Sequence, residues 1–214
     1  MTEQYAVIGH PIAHSKSPTI HTAFARQTQQ DMQYTKLLAP LDGFTETVSD
    51  FFATGGVGLN VTLPFKTQAL AFAEEASEDA RAAGAANTLQ RFPDGRVFAD
   101  NTDGRGLLRD LQQNLGLVLQ DKQVLLLGAG GAAQGVLRPL LQSGISRLFI
   151  ANRTAQRAHD LINTVTTSTA AGAGGFDDIP KQPWDFIINA TSAGLTQEIP
   201  PLDPQVVHRP RLRG

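Results

Sequence analysis

Apolar positions in the first half of the chain form short strand-like runs separated by longer helix-like stretches. In chain order, these segments are 5–8, 19–29, 34–38, 43–54 and 57–61. Ser17 suits the cap of the first helix and Pro18 its first position, while Gly55 and Gly56 suit the stop before the third strand. The pattern predicts a βαβαβ unit.

Further local signals close this unit. Two alanine-rich helical stretches follow Lys66, and a pair of runs at 88–92 and 96–99 reads as a hairpin joined by a Pro-Asp-Gly turn. A connecting helix is expected after this pair. We therefore predict two domains, over residues 1–103 and 104–214.

The second half repeats the alternation of strands and helices. In order, we expect a helix at 104–115, a strand at 123–127, a helix at 131–143, a strand at 148–151, a helix at 155–164 and a strand at 185–190. Residues 166–175 are small and polar, which suits a flexible loop or a weak strand. Alternating strands and helices indicate the α/β class.

The composition favours a small molecule as the partner. The chain has 214 residues, 41% of them apolar, and 18 basic and 20 acidic residues give a net charge of −2. Because the charges are mixed along the sequence, we expect no face that binds nucleic acid or a membrane. The lack of cysteine excludes disulfides and suits a reducing cytoplasm. We expect neither a signal peptide nor a membrane anchor, because the start of the sequence is polar and no apolar run approaches the length of a membrane span.

A glycine-rich turn after the strand at 123–127 predicts a dinucleotide site. Its GxGxxA pattern is formed by Gly128, Ala129, Gly130, Gly131, Ala132 and Ala133. The first glycine permits a tight turn, the second lets the backbone approach a pyrophosphate, and the final alanine lets the following helix pack closely. A purely structural turn is the alternative, but the strand before it and the helix after it favour the cofactor.

The end of the next strand favours NADP over NAD. NAD sites usually place an acidic residue about 20 positions onward to bind the ribose 2′-hydroxyl, whereas this strand leads into Asn152, Arg153 and Thr154. An amide, a guanidinium and a hydroxyl suit a 2′-phosphate, and Arg157 lies one helical turn later. The alternative is that Asn152 and Thr154 cap the next helix while Arg153 is solvated.

Four polar segments lie where the predicted strands or the hairpin give way to loops, the usual place of sites in open α/β folds. They are 9–18 (GHPIAHSKSP), 60–66 (NVTLPFK), 84–88 (GAANT) and 101–104 (NTDG). Taken in this order with the GxGxxA turn, the Asn-Arg-Thr strand end and the Asn-Ala-Thr-Ser stretch at 189–192, they resemble the shikimate dehydrogenase family. The resemblance covers about residues 4–207.

The resemblance implies two domains, a mostly parallel α/β substrate domain followed by a Rossmann-type NADP-binding domain. It also implies the reduction of 3-dehydroshikimate to shikimate by NADPH, a cytoplasmic step in aromatic amino acid biosynthesis. The residues expected to bind the substrate's carboxylate and hydroxyls are Ser15, Ser17, Asn60, Thr62, Lys66, Asn87 and Asp103. Thr191 and Ser192 would join the cofactor site, and Lys66 and Asp103 would be the catalytic pair.

The chemistry of Lys66 and Asp103 supports these roles. Ketone reduction by a nicotinamide requires a proton for the developing alkoxide, and a lysine ammonium supplies that proton and stabilises the negative charge. Asp103 is suited to orient the lysine and to bind a neighbouring substrate hydroxyl. Each residue also has a structural interpretation when taken singly, with Lys66 solvated, Asp103 a helix cap, and Ser15 and Ser17 turn or cap residues.

Other chemically versatile side chains receive no role in this interpretation. His10, His14 and His21 share no metal-ligand spacing with nearby carboxylates, so no metal is expected. We assign Tyr34 and Trp184 to packing.

The end of the chain departs from the family pattern. Family members continue with another strand, a glycine-rich segment and a helix that carries a glutamine to the substrate, so the Rossmann-type domain should lack its last elements. We expect low stability and little turnover without them. The basic residues at 208–214 resemble a shifted reading frame or an artificial end more than a functional tail.

Two functional alternatives stay open at this point. One is a noncatalytic, truncated paralogue that binds dinucleotide or shikimate, and the other is a quinate/shikimate dehydrogenase that uses NAD or NADP. Shikimate is favoured over quinate because Ser15 and Ser17 are both small. A monomer and a homodimer are both compatible with the sequence.

Overall fold

The chain divides into two units, Met1–Thr102 and Asp103–Gly214. They are seen in a computed structural model that describes residues 2–191 and 200–206. Ser192 and the basic stretch at 208–214, which both figure in the sequence predictions, lie outside the described residues.

The first unit is a mixed α/β structure. Its elements in chain order are β1 Glu3–Gly9, α1 Ser17–Thr28, β2 Met32–Leu38, α2 Phe44–Ala53, β3 Gly56–Val61, α3 Lys66–Phe72, β4 Glu75–Ala76, α4 Glu78–Ala83, β5 Thr88–Arg91 and β6 Val97–Asp100. The described strands form one sheet in the order β2-β1-β3-β5-β6-β4. β1 is parallel to both β2 and β3, whereas β5 runs antiparallel to β3 and β6. The amino end of β5 therefore lies at the same sheet edge as the carboxyl ends of β1 and β3.

The βαβαβ rhythm and the hairpin predicted for this unit are both confirmed. Gly95 takes a φ of 93° in the hairpin turn, a left-handed conformation that glycine adopts at no steric cost. The two-residue strand β4, which pairs with β6, was missed because so short a segment has no detectable period. The core lies between the sheet and its helices, where the Phe44 and Phe65 rings stack with centroids 5.0 Å apart.

The second unit has the strand order of a Rossmann fold. Its elements are α5 Asp103–Arg109, a π-helical segment Asp110–Asn114, β7 Gln123–Leu127, α6 Gly131–Gln142, β8 Arg147–Ala151, α7 Ala155–Ile162, β9 Ala170–Gly174, β10 Phe186–Asn189 and a 3-10 turn Pro204–Val206. The described strands form a sheet in the order β10-β7-β8-β9, and every pair is parallel. The chain crosses from one side of β7 to the other between β9 and β10, which makes the carboxyl end of β7 the switch point where such sheets bind ligands.

The core of this unit explains the apolar run at 124–127. Leu125 and Leu126 are both fully buried, and they belong to separate clusters on opposite faces of the sheet. A strand covered on both faces is apolar throughout rather than alternating. Of the two interpretations for residues 166–175, the strand is confirmed, as β9 adds the edge next to β8. The α/β class predicted from the sequence is also confirmed.

Candidate active site

The loops after β1 and β3 lie side by side at one edge of the first sheet. The Thr62 backbone N–H donates to the Ile8 carbonyl at 3.0 Å, and the His10 N–H donates to the Leu63 carbonyl at 2.9 Å. A Cβ atom on Gly9 would lie only 2.6 Å from the Thr62 methyl carbon, so glycine is needed for this close approach. These contacts place Thr62 directly against the loop that leads to the two predicted serines.

Asn87 and Lys66 are brought to the same edge by main-chain hydrogen bonds. The Val61 N–H donates to the Asn87 carbonyl at 2.7 Å, and the Ala86 N–H donates to the Lys66 carbonyl at 2.8 Å. Lys66 is the first residue of α3 and is partly buried. Together with Asn60 near the end of β3, the edge therefore collects amide, hydroxyl and ammonium side chains.

The segment after β6 is tied to Asn87. The Thr102 N–H donates to Asn87 Oδ1 at 3.1 Å, and Asn87 Nδ2 donates to Thr102 Oγ1 at 2.9 Å. The preceding residue, Asn101, is 2% exposed and donates to the Ala85 carbonyl at 2.9 Å, a structural role that sequence reasoning did not assign. Asp103 follows Thr102 directly and opens α5 in the second unit.

The prediction that Ser17 caps α1 is wrong. The helix begins at Ser17 itself, with Lys16 in the cap position and no side-chain cap. Ser15 Oγ instead accepts from the Ser17 N–H at 3.3 Å. This arrangement leaves the Ser17 hydroxyl available for contacts outside the helix.

Tyr34, which sequence reasoning assigned to packing alone, contacts the predicted site residue Asn60. Its hydroxyl donates to Asn60 Oδ1 at 2.5 Å, and its ring stacks on that of His21 with centroids 4.2 Å apart. Burial raises the pKa of Tyr34 far above its usual value, and hydrogen bonding by Ser17 partly offsets the increase. The only sequence signal was a polar-tipped aromatic inside a predicted strand, which is ordinarily a packing feature.

In the second unit, the turn after β7 meets the turn after β10. Gly128 has a φ of 105°, and a Cβ atom there would lie 2.9 Å from the Ala190 carbonyl oxygen. Thr191 is held beside it, because Asn189 Oδ1 accepts from the Thr191 N–H at 3.0 Å and from its hydroxyl at 2.6 Å. The predicted glycine turn therefore has the tight geometry that its first position requires.

The amino end of α6 has the features of a pyrophosphate site. The helix begins at Gly131 after Gly130, and the first N–H groups of a helix have no partner within it. Among the described residues, a Cβ atom built on Gly130 would meet nothing within 4 Å, so they leave space beside this turn. Ala133 is fully buried against the sheet, as the close packing of the motif requires.

The segment after β8 presents two exposed guanidinium groups. The Asn152 N–H donates to the Gly174 carbonyl at 3.0 Å, and its side chain donates to the Thr154 carbonyl at 2.9 Å, which fixes the turn that carries Arg153. Thr154 occupies the cap position of α7, but its side chain makes no capping hydrogen bond. Arg153 and Arg157 are both exposed. The arrangement suits an anion better than it suits helix capping.

Neither a metal cluster nor a membrane span is found in the part of the chain that the structure describes. Among those residues, no group of three or more histidine or acidic side chains is placed to hold a metal ion. No described helix is both long enough and apolar enough to cross a bilayer.

The Rossmann strand order and the glycine turn of the second unit define a dinucleotide-binding α/β protein. Its first unit carries polar side chains along one edge of its sheet. The family model for the shikimate dehydrogenase substrate binding domain matches residues 7–89, and the model for shikimate/quinate 5-dehydrogenase matches residues 110–197. A shikimate dehydrogenase (NADP(+)) from Herminiimonas arsenicoxydans is 53% identical over 206 residues, which cover 96% of this chain and 75% of that protein. A shikimate dehydrogenase (NADP(+)) from Vibrio cholerae is 50% identical, with 95% of this chain and 73% of that protein covered.

Solved structures agree with these relatives. An Ael1 enzyme from Pseudomonas putida has a TM-score of 0.86 and 46% identity, with 96% of this chain and 75% of that one covered. A shikimate 5-dehydrogenase from Thermus thermophilus in complex with NADP(H) and shikimate has a TM-score of 0.82 and 31% identity, with the same two coverages. The chain belongs to the shikimate dehydrogenase family, and the resemblance inferred from the sequence is confirmed.

Proposed function

We propose that the protein catalyses the NADP-dependent, reversible reduction of 3-dehydroshikimate to shikimate, a step of the shikimate pathway to chorismate and the aromatic amino acids. The observation that carries this proposal is the single sheet edge at which the segments bearing Asn60, Thr62, Lys66 and Asn87 meet. The relatives at 50% identity or more, named as NADP-dependent shikimate dehydrogenases, support it.

The substrate is a hydroxylated ring acid, which needs several hydrogen-bonding partners with fixed geometry. The residues that we assign to it are Ser15, Ser17, Asn60, Thr62, Lys66, Asn87 and Asp103. Their hydroxyl and amide groups offer donors and acceptors without a second strong positive charge. Polar groups that become buried under the substrate reject analogues that lack a hydroxyl, because the analogue leaves them unpaired.

Lys66 is the group that we assign to proton transfer. Its ammonium donates a proton to the carbonyl oxygen as that oxygen becomes an alkoxide, and its charge stabilises the negative charge that develops there. The reverse reaction returns the proton to the lysine. Asp103 accepts a hydrogen bond from the adjacent substrate hydroxyl and orients the ammonium. When bound, NADPH supplies the hydride.

The second unit fits NADP. The first N–H groups of α6, which have no partner within the helix, would hold the pyrophosphate beside Gly130, within a turn formed by Gly128, Ala129, Gly130, Gly131, Ala132 and Ala133. The Arg153 guanidinium would pair with the 2′-phosphate, aided by Asn152, Thr154 and Arg157. Thr191 and Ser192 would complete the site on the β10 side.

These assignments give each domain a separate ligand. Residues 1–103 would bind the substrate and residues 104–214 the cofactor. We further propose that the protein acts in the cytoplasm, as a monomer or homodimer, without a nucleic acid or membrane partner.

The test is the absorbance of NADPH formed from NADP⁺ and shikimate by the purified chain, with quinate and NAD⁺ as alternative substrates. Binding of NADPH and of shikimate is measured in parallel by calorimetry. Turnover that requires both shikimate and NADP⁺, at whatever rate, supports the proposal. Binding of both ligands without turnover would favour the noncatalytic alternative, and turnover of quinate at a comparable rate would favour the broader specificity.

A further inference from the structure

A line of hydrogen bonds links Tyr34 to Asn87 through the site. The Tyr34 hydroxyl contacts Asn60 Oδ1 at 2.5 Å, Asn60 Nδ2 contacts Thr88 Oγ1 at 3.4 Å, and Thr88 Oγ1 contacts Asn87 Oδ1 at 2.9 Å. Tyr34 is 9% exposed, so most of the residue is out of contact with water. Both asparagines are residues that we assign to the substrate.

The hydrogen bond from Thr102 to Asn87 determines which atom donates and which accepts along this line. Asn87 Oδ1 accepts from the Thr102 backbone N–H at 3.1 Å, and a backbone N–H can only donate. Thr88 must therefore donate to the same oxygen and accept from Asn60. The Asn60 amide is then oriented with its NH₂ group toward Thr88 and its oxygen toward Tyr34, which must be the donor.

We propose that Tyr34 is a positioning residue that holds the Asn60 amide in the orientation set by Thr88, so that its second N–H is presented to a hydroxyl oxygen of the substrate. The inference rests on the proposed function and names a residue that acts through Asn60 rather than by touching the substrate. Without the hydrogen bond from the Tyr34 hydroxyl to its oxygen, the Asn60 amide is left with the long 3.4 Å contact from its Nδ2 to Thr88 Oγ1, so its second N–H is held less firmly toward the substrate.

The position of Tyr34 supports an indirect role. Its ring is held by His21 on one face, so removal of the hydroxyl alone leaves the packing of the ring in place. Ser17, another residue that we assign to the substrate, lies close enough to the hydroxyl to lower the pKa of Tyr34 against the effect of burial. The buried phenol thus lies beside Ser17 of α1 and Asn60 of β3, two side chains that are expected to meet the ligand.

The test compares Tyr34→Phe with Tyr5→Phe, since these are the two tyrosines of the chain. The Tyr5 hydroxyl donates to Glu3 at 2.8 Å in an exposed hydrogen bond, so its loss is the matched control. Shikimate affinity is measured by calorimetry, with NADPH affinity, thermal unfolding and kcat recorded for every variant. Asn60→Ala is made alone and together with Tyr34→Phe, and Thr88→Val breaks the same line from its other side.

We expect Tyr34→Phe to weaken shikimate binding by about tenfold, with NADPH affinity and kcat nearly unchanged. Thr88→Val should act in the same direction, Tyr5→Phe should have no effect, and Tyr34→Phe should add nothing once Asn60 is alanine. Unchanged shikimate affinity in Tyr34→Phe, or an equal loss in the Asn60→Ala background, would overturn the inference. If Tyr34→Phe does not fold, Thr88→Val decides, because unchanged shikimate affinity in that variant would show that binding does not depend on how the Asn60 amide is held. A parent chain that binds no shikimate would overturn the proposed function and this inference with it.

Discussion

Gly128 and Ala190 approach so closely that a Cβ atom on Gly128 would lie 2.9 Å from the Ala190 carbonyl oxygen. The two residues follow β7 and β10, the neighbouring strands at the switch point of the second sheet. Gly130, two residues later, has a φ of −94°, and a Cβ atom built on it would meet none of the described residues within 4 Å. One glycine is thus required by the fold, whereas we assign the other to the cofactor.

Substitution of these two glycines should separate stability from binding. Gly128→Ala should lower the free energy of unfolding by about 1–3 kcal/mol, because alanine is strained at this φ and clashes with Ala190. Gly130→Ala should leave stability unchanged or slightly raised, yet weaken NADPH binding, because its methyl group occupies the space for the pyrophosphate. Denaturant unfolding followed by fluorescence of the single tryptophan, Trp184, measures the first effect, and NADPH titration measures the second. Equal effects of the two variants on both quantities would contradict this division.

Lys66→Ala should remove catalysis more than binding. Loss of the proton donor should lower kcat by about a hundredfold to ten-thousandfold, with a much smaller change in the dissociation constant of shikimate. The control is Lys181→Ala, whose ammonium is 3.7 Å from Asp203 and whose side chain is 70% exposed. Steady-state kinetics and calorimetry provide the two measurements. A lysine variant that loses affinity and kcat in equal proportion would speak against proton transfer by Lys66.

Arg153→Ala should reduce the preference for NADP over NAD. A charge-assisted contact with the 2′-phosphate is worth about tenfold to a hundredfold in affinity, so NADPH should bind that much more weakly while NADH is unaffected. Arg147→Ala is the matched control. Arg153 follows the carboxyl end of β8, whereas Arg147 is the first residue of that strand and donates to Gln182 at 3.0 Å. If both nucleotides lose affinity equally, Arg153 does not contact the 2′-phosphate.

His21 should make the first unit less stable in mild acid. Burial lowers the pKa of His21 below its usual 6.5, so the unfolded chain binds the proton more readily than the folded chain does. The stabilisation is therefore complete above about pH 6.5 and decreases as the pH falls below it. His21→Phe keeps a ring against Tyr34 and should show a smaller loss of unfolding midpoint between about pH 7.5 and 5.5. The exposed His14, changed to Gln, is the control, and circular dichroism gives the midpoints. Parallel pH curves for His21→Phe and the parent chain would refute the assignment.

Elements with strong local signals were predictable from the sequence. The hairpin of β5 and β6 follows from its Pro-Asp-Gly turn, and the start of α6 follows from an apolar strand that runs into glycines, because backbone conformation there is decided by neighbouring residues. Elements with weak local signals were either missed, as β4 was, or left open between a loop and a strand, as β9 was. β4 has two residues, and β9 is built from alanine and glycine, so each exists only because a neighbouring strand supplies its hydrogen bonds.

The sequence by itself determined the α/β class, the glycine turn and the order of the polar segments that carry the family resemblance, since these are written in contiguous residues. Only the tertiary structure decided that α1 begins at Ser17 with no side-chain cap, and that the Tyr34 hydroxyl lies 2.5 Å from Asn60. These two residues are 26 positions apart and lie on strands that are separated by β1. Contacts of this kind depend on strand register and order, which no local pattern of residues specifies.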